Sequence, residues 1–88
     1  MSRGVEITLL TQDDCAFCGV AKEILTRVRH DYSLRVREID LATAEGQRLA
    51  ASAGVLFAPG VLINGQAFSY GRLSERKLRR ALGRQNTA

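Results

Sequence analysis

Two cysteines, Cys15 and Cys18, stand two residues apart where the hydrophobic period of the chain changes from that of a strand to that of a helix. On one side, Val5-Glu6-Ile7-Thr8-Leu9-Leu10 is a short apolar, β-branched run that reads as a first, central strand, followed by the polar turn Thr11-Gln12-Asp13-Asp14. On the other side, apolar residues recur at Phe17, Val20, Ala21, Ile24, Leu25 and Val28, with Lys22, Glu23, Arg27 and Arg29 on the opposite face. That spacing predicts a helix over 16–29. Two intervening residues at a helix start bring the sulfurs within bonding reach inside one turn. The first thiol also meets unpaired amide groups and the positive end of the helix dipole, both of which stabilise a thiolate.

The remaining chain continues the alternation. Tyr32 to Asp40 predicts a second strand with Leu34 and Val36 inward and one register slip before Ile39; the helix between the strands makes the pair parallel. Ala42 to Ala53 predicts a second helix closed by Gly54, and Val55-Leu56-Phe57-Ala58 leads to the single proline, Pro59. Gly60 to Ile63 and Gln66 to Tyr70 flank Asn64-Gly65, the dipeptide of a two-residue hairpin. Ser74 caps a last helix with Leu78, Ala81 and Leu82 inward. The order is β-α-β-α-β-β-α, without linker or repeat, and 1–88 is expected to be one domain.

Size limits what such a chain can carry. With 88 residues it buries about two-thirds of its unfolded surface, which allows one modest core and no separate cofactor domain. With 45% hydrophobic and 25% charged residues, the composition is that of an ordinary globular domain. The longest uncharged stretch, Leu49 to Ser69, contains Gly54, Pro59, Gly60, Asn64, Gly65 and Gln66, which excludes it as a spanning helix. Met1 to Glu6 lacks the apolar run of a secretory signal, so a cytoplasmic location with reduced thiols is expected.

The formal charge of +4 is unevenly placed, with six basic residues and one acid between Arg72 and Arg84. The face formed by Arg76, Lys77, Arg79, Arg80 and Arg84 reads first as a solvated helix surface, and next as a docking surface for an acidic reductase or substrate. Without interleaved aromatics it is not expected to bind nucleic acid. A membrane partner is not expected either, and the chain should be a monomer. Asp13 and Asp14 suit a helix N-terminus as capping residues; as charges beside Cys15 they oppose thiolate formation.

The residues leave three readings of the cysteine pair open: a redox dithiol, half of a metal or iron–sulfur site shared between two chains, or inert core thiols. Structural zinc needs four ligands, and the one histidine, His30, falls at the far end of the helix beside Arg29, where a cation favours the dipole. A Cys-x-x-Cys opening the first helix of a βαβ unit favours the redox dithiol.

The chain resembles the thioredoxin superfamily, and within it small glutaredoxin-like proteins, in its strand-to-helix Cys15-x-x-Cys18, in Pro59 ahead of a strand, in the hairpin from Val61 to Tyr70 and in the closing amphipathic helix. The resemblance implies an α/β thioredoxin-like three-layer sandwich with a mixed four-stranded sheet. It implies a cis Ala58–Pro59 bond facing the cysteines, with Ala58 presenting backbone groups to an extended substrate. Phe17 reads equally as a hydrophobic helix-entry residue and as an apolar wall beside the disulfide. It also implies thiol-disulfide oxidoreductase activity, with Cys15 as nucleophile and Cys18 as resolving thiol, acting on protein or low-molecular-weight disulfides.

The chain departs from the family pattern at three places tied to glutathione. Gln12 replaces a lysine three residues before the first cysteine, Phe57-Ala58-Pro59 replaces Thr-Val-Pro, and Tyr70-Gly71-Arg72 replaces Gly-Gly followed by an acid. No bound cofactor is expected; glutathione as co-substrate and a thioredoxin-type reductase are both candidate reductants. The alternatives are an iron–sulfur or metal-binding dimer and a redox-inactive thioredoxin-fold interaction domain.

Overall fold

A computed structural model describes residues 4–85. Met1-Ser2-Arg3, part of the segment read as too polar for a secretory signal, lie outside the described residues, as do 86–88, so the expected domain bounds of 1–88 extend past them at both ends. The elements are β1 (Val5–Thr11), α1 (Ala16–Val28), β2 (Leu34–Asp40), α2 (Ala44–Ala53), β3 (Gly60–Ile63), β4 (Gln66–Tyr70) and α3 (Glu75–Gln85). Their strands form one mixed sheet in the order β2-β1-β3-β4. β1 is parallel to β2, β3 is antiparallel to both β1 and β4, and β1 is central as expected.

Because β1 alternates side chains between the two faces of the sheet, it feeds two cores. Val5, Ile7 and Leu9 join Ala21, Ile24, Leu25 and Val28 of α1, and Leu78, Ala81 and Leu82 of α3, in the larger cluster. Leu10 points the other way, into a smaller cluster with Ile39, Val55 and Leu62 that Leu49, Ala50 and Ala53 of α2 cover. α1 and α3 thus form one layer, the sheet the second and α2 the third. Leu9, Leu10, Val28, Leu78 and Leu82 have no exposed surface, and full burial of such a side chain contributes about 1.5–3 kcal/mol.

The second cluster corrects the register slip expected before Ile39. β2 pairs with β1 without a bulge, Leu34 opposite Val5 through Asp40 opposite Thr11. Ile39 is odd-numbered while Leu34 and Val36 are even, so an unbroken strand sends it to the opposite face, against α2. Element starts shift for local reasons. Tyr32 belongs to the exit of α1, its amide donating to the Val28 carbonyl (3.0 Å) and its hydroxyl to the Arg79 carbonyl (3.4 Å). α2 begins at Ala44 because Thr43 caps it: Oγ1 accepts from the Gly46 amide at 3.0 Å and donates to the Asp40 carbonyl at 2.7 Å.

In the hairpin, Ile63 pairs with Gln66, and Asn64 and Gly65 take φ of 50° and 82°, the left-handed values that a two-residue turn of this kind demands. Ser74 caps α3 as expected, its Oγ accepting from the Lys77 amide at 3.2 Å. Arg79 does not belong to the solvated basic face. Its Nη1 lies 2.7 Å from Asp31 and its Nε 3.0 Å from Glu75, whose other oxygen holds Arg27 of α1 at 2.7 Å. Asp31, Arg79, Glu75 and Arg27 form one chain of charges that ties α1 and its exit to α3. Among the described residues no helix is long and apolar enough to cross a membrane.

Candidate functional site

The register places three chain segments at one end of the sheet. Gly60 pairs with Leu10 on one side and Tyr70 on the other, so the exit of β1, the entry to β3 and the exit of β4 lie side by side. The turn after β1 carries Cys15, the entry to β3 follows Pro59, and β4 runs out into Gly71-Arg72.

Asp14 adopts φ 54°, a left-handed conformation that aspartate tolerates better than most residues, and the chain then extends at Cys15 (φ −112°, ψ 102°) before entering α1. An N-cap needs that extended backbone, so the cap of α1 is Cys15, which corrects the capping role expected of Asp13 and Asp14. Sγ of Cys15 accepts from the Cys18 amide at 3.1 Å, satisfying one of the free donors of the first turn. The two cysteines are joined as a disulfide with Cα atoms 5.3 Å apart. Cys18 is 4% exposed, whereas Cys15 is half-buried.

Phe17 and Val20 depart from the buried face expected of α1, at 47% and 39% exposure. Phe17 lies in the first turn, at the end of the sheet, and Val20 on the flank; the buried stripe is Cys18, Ala21, Ile24, Leu25 and Val28. The Arg72 guanidinium lies 5.9 Å from the centroid of the Phe17 ring. Arg72 therefore belongs to the strand exit and not to the basic surface of α3, which starts at Glu75.

The Ala58–Pro59 peptide is cis, and Pro59 is among the fully buried residues. The β1–β3 ladder ends at Leu10 and Gly60, which leaves the backbone of Ala58 outside it. The Pro59 carbonyl accepts from the Gly71 amide at 2.8 Å, binding this loop to the exit of β4. Gly71 has φ 78°, and a Cβ there would stand 3.0 Å from Cε1 of Phe57. Phe57 meets Tyr70 edge-on, with centroids 5.1 Å apart and planes at 88°, and both rings stay half-exposed beside a 77% exposed Leu56.

The end of the sheet thus joins a disulfide, an apolar rim of Phe17, Leu56, Phe57 and Tyr70, and one guanidinium. Cys15, Cys18, Phe17, Ala58 and Pro59 are the residues expected from the sequence; Phe57, Tyr70, Gly71 and Arg72, singled out there only as departures from the family's glutathione pattern, join them through contacts made in the folded chain. The available signals were the large apolar residues Leu56 and Phe57 immediately before the proline, and the glycine directly after a strand. His30 is exposed just past α1, and among the described residues no three His, Cys, Asp or Glu side chains converge on a metal-binding position.

A mixed four-stranded sheet between α1 and α3 on one face and α2 on the other, with a cysteine pair opening α1, defines a protein of the thioredoxin superfamily. Solved structures agree. A mutant thioredoxin from Halobacterium salinarum NRC-1 superposes with a TM-score of 0.74 at 20% identity, over 96% of this chain and 76% of that one. The thioredoxin-like protein BC3987 gives 0.70 at 28% identity, over 86% and 99% of the two chains. A mutant of BC3987 gives 0.67 at 26% identity, over 84% and 95%. Comparison with curated protein sequences gives no match. The profile of the Glutaredoxin-like domain (DUF836) matches residues 6–83, and the chain belongs to that family.

Proposed function

We propose that this protein is a thiol-disulfide oxidoreductase that reduces protein or low-molecular-weight disulfides through Cys15 and Cys18. The observation that carries the reading is the asymmetry of the pair. Cys15 is the more accessible residue and its sulfur already accepts an amide hydrogen bond at the helix N-terminus, while Cys18 is buried one turn inward.

In the reduced protein the Cys15 thiolate attacks one sulfur of a substrate disulfide. That S–S bond breaks, the leaving sulfur departs as a thiolate and takes a proton, and a Cys15–substrate mixed disulfide remains. Cys18 then loses its proton and attacks Cys15 Sγ, releasing the second substrate thiol. The substrate gains two electrons and two protons, and the protein ends as the Cys15–Cys18 disulfide. A thiol reductant, either glutathione or a thioredoxin-type reductase, returns it to the dithiol. Ala58 and Pro59 line the substrate path, with the backbone of Ala58, which lies beyond the end of the β1–β3 ladder, presented to an extended chain and Phe17 as the apolar wall beside the attacked bond.

The test is a disulfide-reduction assay run in parallel with glutathione plus its reductase and with a thioredoxin reductase. Turnover in either arm supports the reading and names the reductant, and absence of turnover in both contradicts it.

A further inference from the structure

We propose that Arg72 is a specificity-determining residue that receives a carboxylate placed beside the substrate disulfide, so that carboxylate-bearing disulfides are the preferred substrate class. The inference rests on the dithiol reading above and adds the charge of the substrate to it.

The first observation is the position of the guanidinium. It stands 5.9 Å from the centroid of the Phe17 ring, and Phe17 lies between the two cysteines, immediately before Cys18, so the charge sits against the side chain of the Cys-x-x-Cys segment itself. A cation beside a ring face keeps its charge, and the N–H donors of arginine pair with a carboxylate. The second is that the charge is uncommitted. Among the described residues, the ion pairs formed by Lys22, Arg27, Arg37 and Arg79 do not involve Arg72. The third is that the backbone on both sides is anchored. Gly71 donates to Pro59, and Leu73 is 3% exposed in the core, so the side chain leaves from a fixed point. The fourth is polarity. Asp13 and Asp14 lie immediately before Cys15, so an anion is repelled on that side of the disulfide and drawn to the Arg72 side.

The experiment uses reduced full-length protein, as wild type, Arg72→Ala and Arg72→Glu, oxidised in turn by anionic dithiodipropionate, neutral hydroxyethyl disulfide and cationic cystamine. Second-order rate constants are read at low and high salt, and the neutral disulfide serves as the internal reference of each variant. Wild type is expected to favour the anionic over the neutral disulfide by about threefold to fivefold at low salt, the range of an exposed charge pair, with the preference fading as salt rises. Arg72→Ala should abolish the preference and Arg72→Glu should transfer it to cystamine.

Cysteine-peptide disulfides flanked by Glu or by Lys identify the source of the carboxylate. A residue-72-dependent preference for the Glu peptide larger than that for dithiodipropionate assigns it to a protein substrate, and a smaller one to a small molecule. Identical anionic-to-neutral ratios in all three proteins overturn the role of Arg72 while leaving the dithiol mechanism intact. Failure of wild type to react with any disulfide overturns the dithiol mechanism itself, and this inference with it.

Discussion

The amide of Cys18 donates to Sγ of Cys15 at 3.1 Å, across the first turn of the helix that carries both residues. In the reduced protein the same donor faces a thiolate, and a hydrogen bond to the charged form lowers a pKa. Cys15 is expected to titrate below the ordinary thiol value of about 8.5. Asp14 opposes this from the adjacent position. Asp14→Asn keeps a residue suited to φ 54° and removes the charge, so it should lower the Cys15 pKa further. Thiolate absorbance against pH measures both, and an unchanged or raised value in the variant contradicts the assignment.

The charge chain from Asp31 to Arg27 predicts a specific acid limb in stability. Glu75 is held below the usual carboxylate range, first by the hydrogen bond from Arg27 and then by that from Arg79. A carboxylate whose folded pKa is depressed contributes stability above its unfolded pKa and loses it as pH falls through the lowered folded value. Thermal melts from neutral to acid pH should therefore show a shallower decline in Glu75→Gln than in wild type, with the two converging at the acid end. Parallel curves would show that the network contributes nothing measurable.

Ile39 tests the two-faced sheet. Buried at 8% exposure beneath α2, it should cost about 2–4 kcal/mol on replacement by alanine in denaturant unfolding, as deletions of buried aliphatic side chains do. A slipped strand exposing Ile39 would lose less than about 0.5 kcal/mol, the ordinary effect of a surface change.

That residue also shows where sequence reading stops. Phe17 to Val28, Asn64-Gly65 and the inner face at Leu78, Ala81 and Leu82 were legible because helix period and turn chemistry are local properties. Ile39 looked out of step because alternation identifies a buried face only when the other face is wet, and α2 makes both faces of this sheet dry. Cys15 and Cys18 were legible from their spacing together with their place where the first strand gives way to the first helix. The cap was not, because Asp13, Asp14 and Cys15 compete for one position and the left-handed turn at Asp14 decides it. Arg79 was counted with the surface face of the last helix and Arg72 with the basic run that leads into it, since their partners, Asp31 and Phe17, come from the first half of the chain and only the folded arrangement brings them together.

The unequal roles of the two sulfurs are tested most directly by mass spectrometry of single-cysteine variants after exposure to a disulfide substrate. Cys18→Ser should accumulate a mixed disulfide on Cys15 that persists until an external thiol is added, while Cys15→Ser should form little adduct and show no turnover. Full activity of Cys18→Ser toward protein disulfides, or an adduct that forms equally well on Cys18 when Cys15 is absent, would contradict that division of roles.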